Sequence, residues 1–259
     1  AMQLLGGVGL FLYAIKLISD SLQLVAGERM RNIIGMFTKT PLLGVILGAG
    51  VTVVIQSSSA TTVMTVSFVE AGLMSLTQAI GVIMGANIGT TVTGQILAFK
   101  IKDFAYLFVM AGIVLMFVCK SKTWKHTGEG LFGFGLLFIG MQTMESSMAF
   151  LKARQDIFLM FAHNPLLGLA AGAGLTLLVQ SSSATVGLTI ALGTPGLLPL
   201  EAAIPIIFGD NIGTTITAVL AAMGTGRAAR QAAASHVMFN LIGVCVWLPL
   251  MPFYIGFIE

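Results

Sequence analysis

Charge is scarce in this sequence. Of its 259 residues only 9% are Asp, Glu, Lys or Arg, against about a quarter in ordinary soluble domains. So few charges cannot cover a water-facing surface, which excludes an ordinary soluble globular protein. The 13 basic and 10 acidic residues leave a formal net charge of +3, with the basic ones scattered through short loops. That scatter suits the flanks of membrane spans and excludes a nucleic-acid footprint. Cysteine is nearly absent: Cys119 and Cys245 lie in apolar stretches without CxxC or Cys/His spacing, so they read as structural thiols. Three isolated histidines, and the lack of GxxxxGK[ST], HExxH and GxSxG motifs, leave no enzyme signature and no ATP-driven chemistry.

Apolar sequence is abundant instead. Hydrophobic residues make up 56% of the chain, its mean hydropathy is +0.97, and several runs approach the roughly 20 residues that cross a bilayer. The expectation is an all-α integral membrane protein, multi-pass, with the lipid bilayer as its surroundings. The opening AMQLLGGVGLFLYAIKLISD lacks a basic n-region and a small-residue cleavage site, so it reads as a first span rather than a cleaved signal.

The strongest signal is an internal repeat. Residues 41–98 align without a gap on residues 165–222, at a constant offset of 124, with about half of the positions identical. The match weakens upstream, where residues 5–22 face 129–146. A first repeat over 1–120, a connecting loop at 121–128 and a second repeat over 129–259 follow. Spans are expected at 4–22, 75–98, 104–119, 129–150, 199–222 and 231–256, with surface segments at 24–39 and 151–163.

Two segments, 41–69 and 165–193, each carry a polar knot in apolar sequence: QSSSATT from Gln56 and QSSSAT from Gln180. About 14 apolar residues precede each knot, or ~21 Å of helix, which reaches the middle of a ~30 Å core without crossing it. A re-entrant helical hairpin with its tip near the midplane fits; a single tilted span with buried serines is the rival. With hairpins, each half makes three crossings, and the odd number inserts the second half upside down. Inverted-topology repeats with broken helices are a recurring transporter architecture.

A turn at Gln56–Ser59, or at Gln180–Ser183, would expose the carbonyls of one limb and the amides of the next. The carbonyls with the Gln56 and serine oxygens suit a hard cation; the amides and hydroxyls of Ser57, Ser58 and Ser59, or of Ser181, Ser182 and Ser183, suit an anion. A second repeated motif, GANIGTT from Gly85 and GDNIGTT from Gly209, supplies glycines that permit unwinding. Its oxygen ligands are Asn87, Thr90, Thr91, Asn211, Thr214 and Thr215. Small-residue packing between membrane helices is the alternative for these residues. Neither QSSS motif has a lysine or arginine nearby in sequence, so a cation bound alongside is expected to supply the positive charge that a buried anion requires.

The paired QSSSAT and NIGTT motifs resemble the type II sodium-dependent phosphate cotransporters, which include bacterial members. The resemblance implies a secondary active symporter of the cell (inner) membrane that takes up inorganic phosphate with sodium by alternating access. Sodium would be a coupling ion, and no cofactor is implied. Carried over by position, the substrate site comprises Gln56, Ser57, Ser58, Ser59, Gln180, Ser181, Ser182 and Ser183, with Thr61 and Thr185 as additions. Sodium candidates are Gln56, Ser57, Asn87, Thr90, Gln180, Ser181, Asp210, Asn211 and Thr214. A sodium-independent channel or carrier for phosphate-like oxyanions is the alternative, because hydroxyl-rich re-entrant loops also build selectivity filters.

Four further sequence readings remain. Asp210 stands where the first repeat has Ala86, and is either a sodium ligand or a structural acid. His236 reads as a hydrogen-bonded core histidine, and Lys16 and Asp20, one turn apart, as a local ion pair. Orientation is contested: Arg29, Arg31, Lys39, Lys120, Lys122, Lys125, Arg227 and Arg230 oppose Lys100, Lys102, Lys152 and Arg154, which places the termini outside, whereas the resemblance places them in the cytoplasm. A homo-oligomer is compatible with the sequence, which carries no signal for or against one.

Overall fold

The computed structural model describes residues 2–37, 40–98, 104–147 and 155–258. Among them every regular element is helical: α1 (Met2–Phe37), α2 (Pro41–Ile55), α3 (Ser58–Glu70), α4 (Leu76–Ala98), α5 (Ala105–Val118), α6 (Lys122–Ser147), α7 (Gln155–His163), α8 (Pro165–Val179), α9 (Ser182–Gly193), α10 (Leu200–Ala221), α11 (Arg227–Trp247) and α12 (Met251–Ile258). Large apolar side chains stand outside the fold: Phe117, Leu178, Phe253 and Phe257 are 83%, 81%, 78% and 89% exposed. Such a surface is stable only against lipid or another apolar partner.

Two boundaries and the number of spans differ from the sequence reading. α1 continues through the expected surface segment as far as Phe37, because no proline or helix-ending turn interrupts it. The stretch expected as a connecting loop is helical from Lys122 onward, steadied by the i,i+3 pair His126 Nδ1–Glu129 Oε2 at 2.8 Å. By length and composition three helices can cross a bilayer, Met2–Ala26, Leu76–Ala98 and Leu200–Ala221, or four if α11 and α12, bent by 71°, count as one span. That is fewer than the six expected crossings. α5 has 14 residues, about 21 Å of helix, and falls short of a bilayer core. α6 begins with Lys122, Lys125 and Glu129, which dilute its hydropathy. Of the charges that carried the orientation argument, Lys39, Lys100, Lys102, Lys152 and Arg154 and the side chains of Arg29 and Arg31 lie outside the described residues.

Both knots interrupt helices, α2 from α3 and α8 from α9. The hydroxyls of Thr52 and Thr61 lie 3.0 Å apart and those of Thr176 and Thr185 2.7 Å. Nine residues of continuous helix would separate them by about 13.5 Å, so the chain folds back at each break. The limb before each break packs on the second helix after it in sequence, α2 on α4 and α8 on α10. Glycines make that approach close: a methyl on Gly48 would collide with the Val82 carbonyl, and one on Gly172 with the Ile206 carbonyl. Each half also reaches into the other, with α4 against α9 and α10 against α3. α1 packs on α6 through Gly7, Gly133 and Gly140, and the ring of Phe11 fills the space over Gly187 of α9. α1 is thereby held between α6 and α9.

Candidate functional site

The two QSSS turns arise from the same local physics. Gln56 closes α2 in the left-handed region at φ 57°, its backbone N–H donating to Thr52 O. Ser57 then caps α3, its Oγ accepting from Ala60 N at 3.1 Å. Gln180 at φ 55° and Ser181, which accepts from Ala184 N at 3.3 Å, repeat the arrangement. Among the described residues these glutamines are the non-glycine positions with positive φ. Such a backbone costs on the order of 1–3 kcal/mol and clusters at ligand sites. One helix ends and another starts within two residues, so carbonyls and amides without helical partners meet at one point. Each capping serine engages only the third amide of its helix, which leaves the N–H groups of Ser58 and Ser59, and of Ser182 and Ser183, at a helix N-terminus where an anion is favoured.

Both turns open into one cavity of about 350 Å³. Its wall is made of Gln56–Ser59, Gln180–Ser183 with Val179 and Ala184, and a stripe of α1: Leu12, Ile15, Lys16, Ser19 and Asp20. The eight QSSS residues of the expected substrate site therefore come together from the two halves. Thr61 and Thr185 do not line this cavity; both are fully buried behind the turns. There they tie the limbs through the Thr52–Thr61 and Thr176–Thr185 hydroxyl pairs, and Thr61 also donates to Ser57 O at 3.1 Å within its own helix.

The sodium candidates divide between two places. Gln56, Ser57, Gln180 and Ser181 line the QSSS cavity. Asn87, Thr90, Asp210 and Asn211 line a larger and mainly apolar cavity of about 960 Å³, bounded also by Trp247 and Tyr254. Thr214 is buried and donates to Asp210 O at 2.8 Å. Thr176 Oγ1 donates to Asp210 Oδ1 at 2.6 Å, and all of Thr185, Thr176 and Asp210 are buried. A carboxylate only accepts, so Thr176 spends its proton on Asp210 and the Thr185 hydroxyl donates to Thr176. In the first half Ala86 offers no acceptor, and the chain runs the other way, from Thr52 to Thr61 to Ser57 O. Asp210 thus gives the duplicated threonine pair opposite polarity in the two halves.

Several site residues escaped sequence reasoning. Thr93 of α4 donates to Gln56 Oε1 at 2.9 Å, fixing the glutamine whose amide also donates to Val53 O. Asn87 donates to Asn240 Oδ1 at 2.9 Å, and His236 Nε2 lies 3.3 Å from Asn87 Oδ1, in keeping with a buried, hydrogen-bonded histidine. Lys16 and Asp20 form no ion pair with each other among the described residues; both face the QSSS cavity. The available signal was their spacing. Positions 12, 15, 16, 19 and 20 form one helical stripe, and two charges in a span-length apolar helix mark a functional position by default.

The profile of the Na+/Pi-cotransporter family matches residues 10–146 and again 147–253. The uncharacterized protein YqeW of Bacillus subtilis is 31% identical over 252 residues, 96% of this chain and 82% of that protein. YjbB of Salmonella typhimurium, whose name assigns it provisionally to inorganic phosphate export, is 28% identical over 253 residues, and the chain spans 47% of its length. Sodium-dependent phosphate transport protein 2B of Homo sapiens is 40% identical over 97 residues, 37% of this chain and 14% of that protein. No solved structure matches.

Proposed function

The chain belongs to the Na+/Pi-cotransporter family, and from that premise we propose that it carries inorganic phosphate across the cell membrane in company with sodium. The observation that carries this reading is the convergence of both QSSS turns on one cavity of about 350 Å³. Phosphate is received there by the hydroxyls of Ser57–Ser59 and Ser181–Ser183 and by the amides that open α3 and α9. Sodium takes carbonyl, amide and hydroxyl oxygens at the other ends of the same breaks, with Asp210 beside the second break as a carboxylate ligand behind them. The two halves act as inverted repeats, each break a re-entrant hairpin whose tip reaches the midplane, and the cavity opens to one side at a time as the halves rock. The fold-back at each break and the reciprocal contacts of α4 with α9 and α10 with α3 support this arrangement.

A second reading is a sodium-independent carrier or channel for phosphate-like oxyanions, with outward movement suggested by the name of YjbB. Radiolabelled phosphate flux in proteoliposomes separates the two. Symport requires accumulation driven by an inward sodium gradient and abolished when choline replaces sodium. Equal flux in both cations would leave a sodium-independent carrier, and no saturable flux in either would reject transport.

A further inference from the structure

One wall of the QSSS cavity is not duplicated. α1 contributes Lys16 and Asp20, on the stripe that begins at Leu12 and Ile15, while α1 turns its opposite face, Gly7, Phe11, Ala14 and Ile18, to α6 and α9. At the offset of the repeat, Lys16 and Asp20 correspond to Gly140 and Met144 of α6. Gly140 is occupied with the backbone of α1 around Phe11, and Met144 is fully buried. The serines and amides are therefore supplied in two copies and the fixed charges in one.

We propose that Lys16 is the phosphate-binding cation of this cavity and that it acts from the α1 side only. The assignment rests on the reading of the cavity as a phosphate site. Hydroxyls and backbone amides supply hydrogen bonds but no full charge, and a multiply charged oxyanion leaving water requires one. Lys16 lies with the six serines around the cavity, has no carboxylate partner among the described residues, and stands exposed at the cavity wall. It meets an anion entering along α1 before the anion reaches the turns. Asp20, one turn further on, opposes the same anion and speeds its departure. The second half supplies no charge at the corresponding positions of α6, so the two faces of the carrier differ in phosphate affinity.

The test is phosphate flux into proteoliposomes of defined orientation, measured from each face, for the wild type and for Lys16→Gln, Lys16→Arg and Asp20→Asn, with thermal melting as a check on folding. Lys16→Gln is expected to raise the apparent KM for phosphate on the order of tenfold on one face and to leave the other face within about twofold. Lys16→Arg should retain most of the affinity, and Asp20→Asn should lower the KM on the same face. An unchanged KM in Lys16→Gln, or equal losses on both faces, would overturn the assignment. So would a lower melting temperature with parallel loss of maximal rate and no shift in KM, which would mark Lys16 as structural. Absence of wild-type phosphate flux would instead remove the parent reading.

Discussion

Asp210 offers the sharpest separation between a coupling residue and a structural acid. Asp210→Asn retains an oxygen that can accept from Thr176, now at 2.6 Å, but removes the carboxylate charge. A hydrogen bond to a charged group contributes about 1.5–3 kcal/mol against about 1 for a neutral pair, while Asn is spared the cost of burying an unpaired carboxylate, so the stability should change by no more than on the order of 1 kcal/mol. Thr176 also keeps its bond to Thr185 at 2.7 Å, which limits the damage further. A sodium ion held by the carboxylate would lose far more. Two unit charges 4 Å apart interact by roughly 4 kcal/mol at an effective dielectric of 20, about three decades of affinity, and even a quarter of that is measurable. The assay is the sodium dependence of phosphate flux at fixed ionic strength, with the melting temperature recorded on the same samples. The expected result is a rise of at least about tenfold in the sodium concentration for half-maximal flux, with a shift of a few degrees in melting temperature. A normal sodium dependence in a destabilised protein would refute the reasoning and leave Asp210 as the residue that orients the Thr185–Thr176 chain.

Ser57→Ala and Ser181→Ala should impair phosphate flux more than stability. Each loses one cap, about 1 kcal/mol, and one hydroxyl of the cavity; normal transport in both would reduce the serines to turn-formers. Gly172→Leu should lower the melting temperature sharply, because its side chain would meet the Ile206 carbonyl, while Gly174→Ala, with nothing within 4 Å of the added carbon, should be neutral or slightly stabilising. Equal effects at the two glycines would contradict the close α8–α10 approach. Thr93→Val should weaken phosphate binding through a freed Gln56 side chain, and an unaltered KM would show that Gln56 needs no such tether. Sodium and phosphate should each raise the affinity for the other by the same factor, typically 5–150-fold; identical phosphate titrations in sodium and choline would remove the ion from the site.

The helical class, the family and the two polar breaks were legible in the chain itself. A low charge content and span-length apolar runs leave little besides a membrane helix bundle, and a polar QSSS knot recurring at a fixed offset identifies the break in each half. The left-handed Gln56 and Gln180 and the caps of Ser57 and Ser181 are local consequences of those residues. The ends of α1 and α6 were harder to read, because helix continuation depends on the absence of a breaker, and polar or charged residues are no breaker. Which side chains meet could not be read at all. Lys16 is 40 residues from Gln56 and 164 from Gln180 in the sequence, and a pattern confined to one helix pairs it with Asp20. Only the packing of α1 against α6, with Phe11 seated over Gly187, turns that stripe toward the serines. Local motifs set the turns because capping and backbone strain act within a few residues. The charge at the cavity was decided by tertiary structure, because electrostatic neighbours are chosen by helix packing and not by sequence separation.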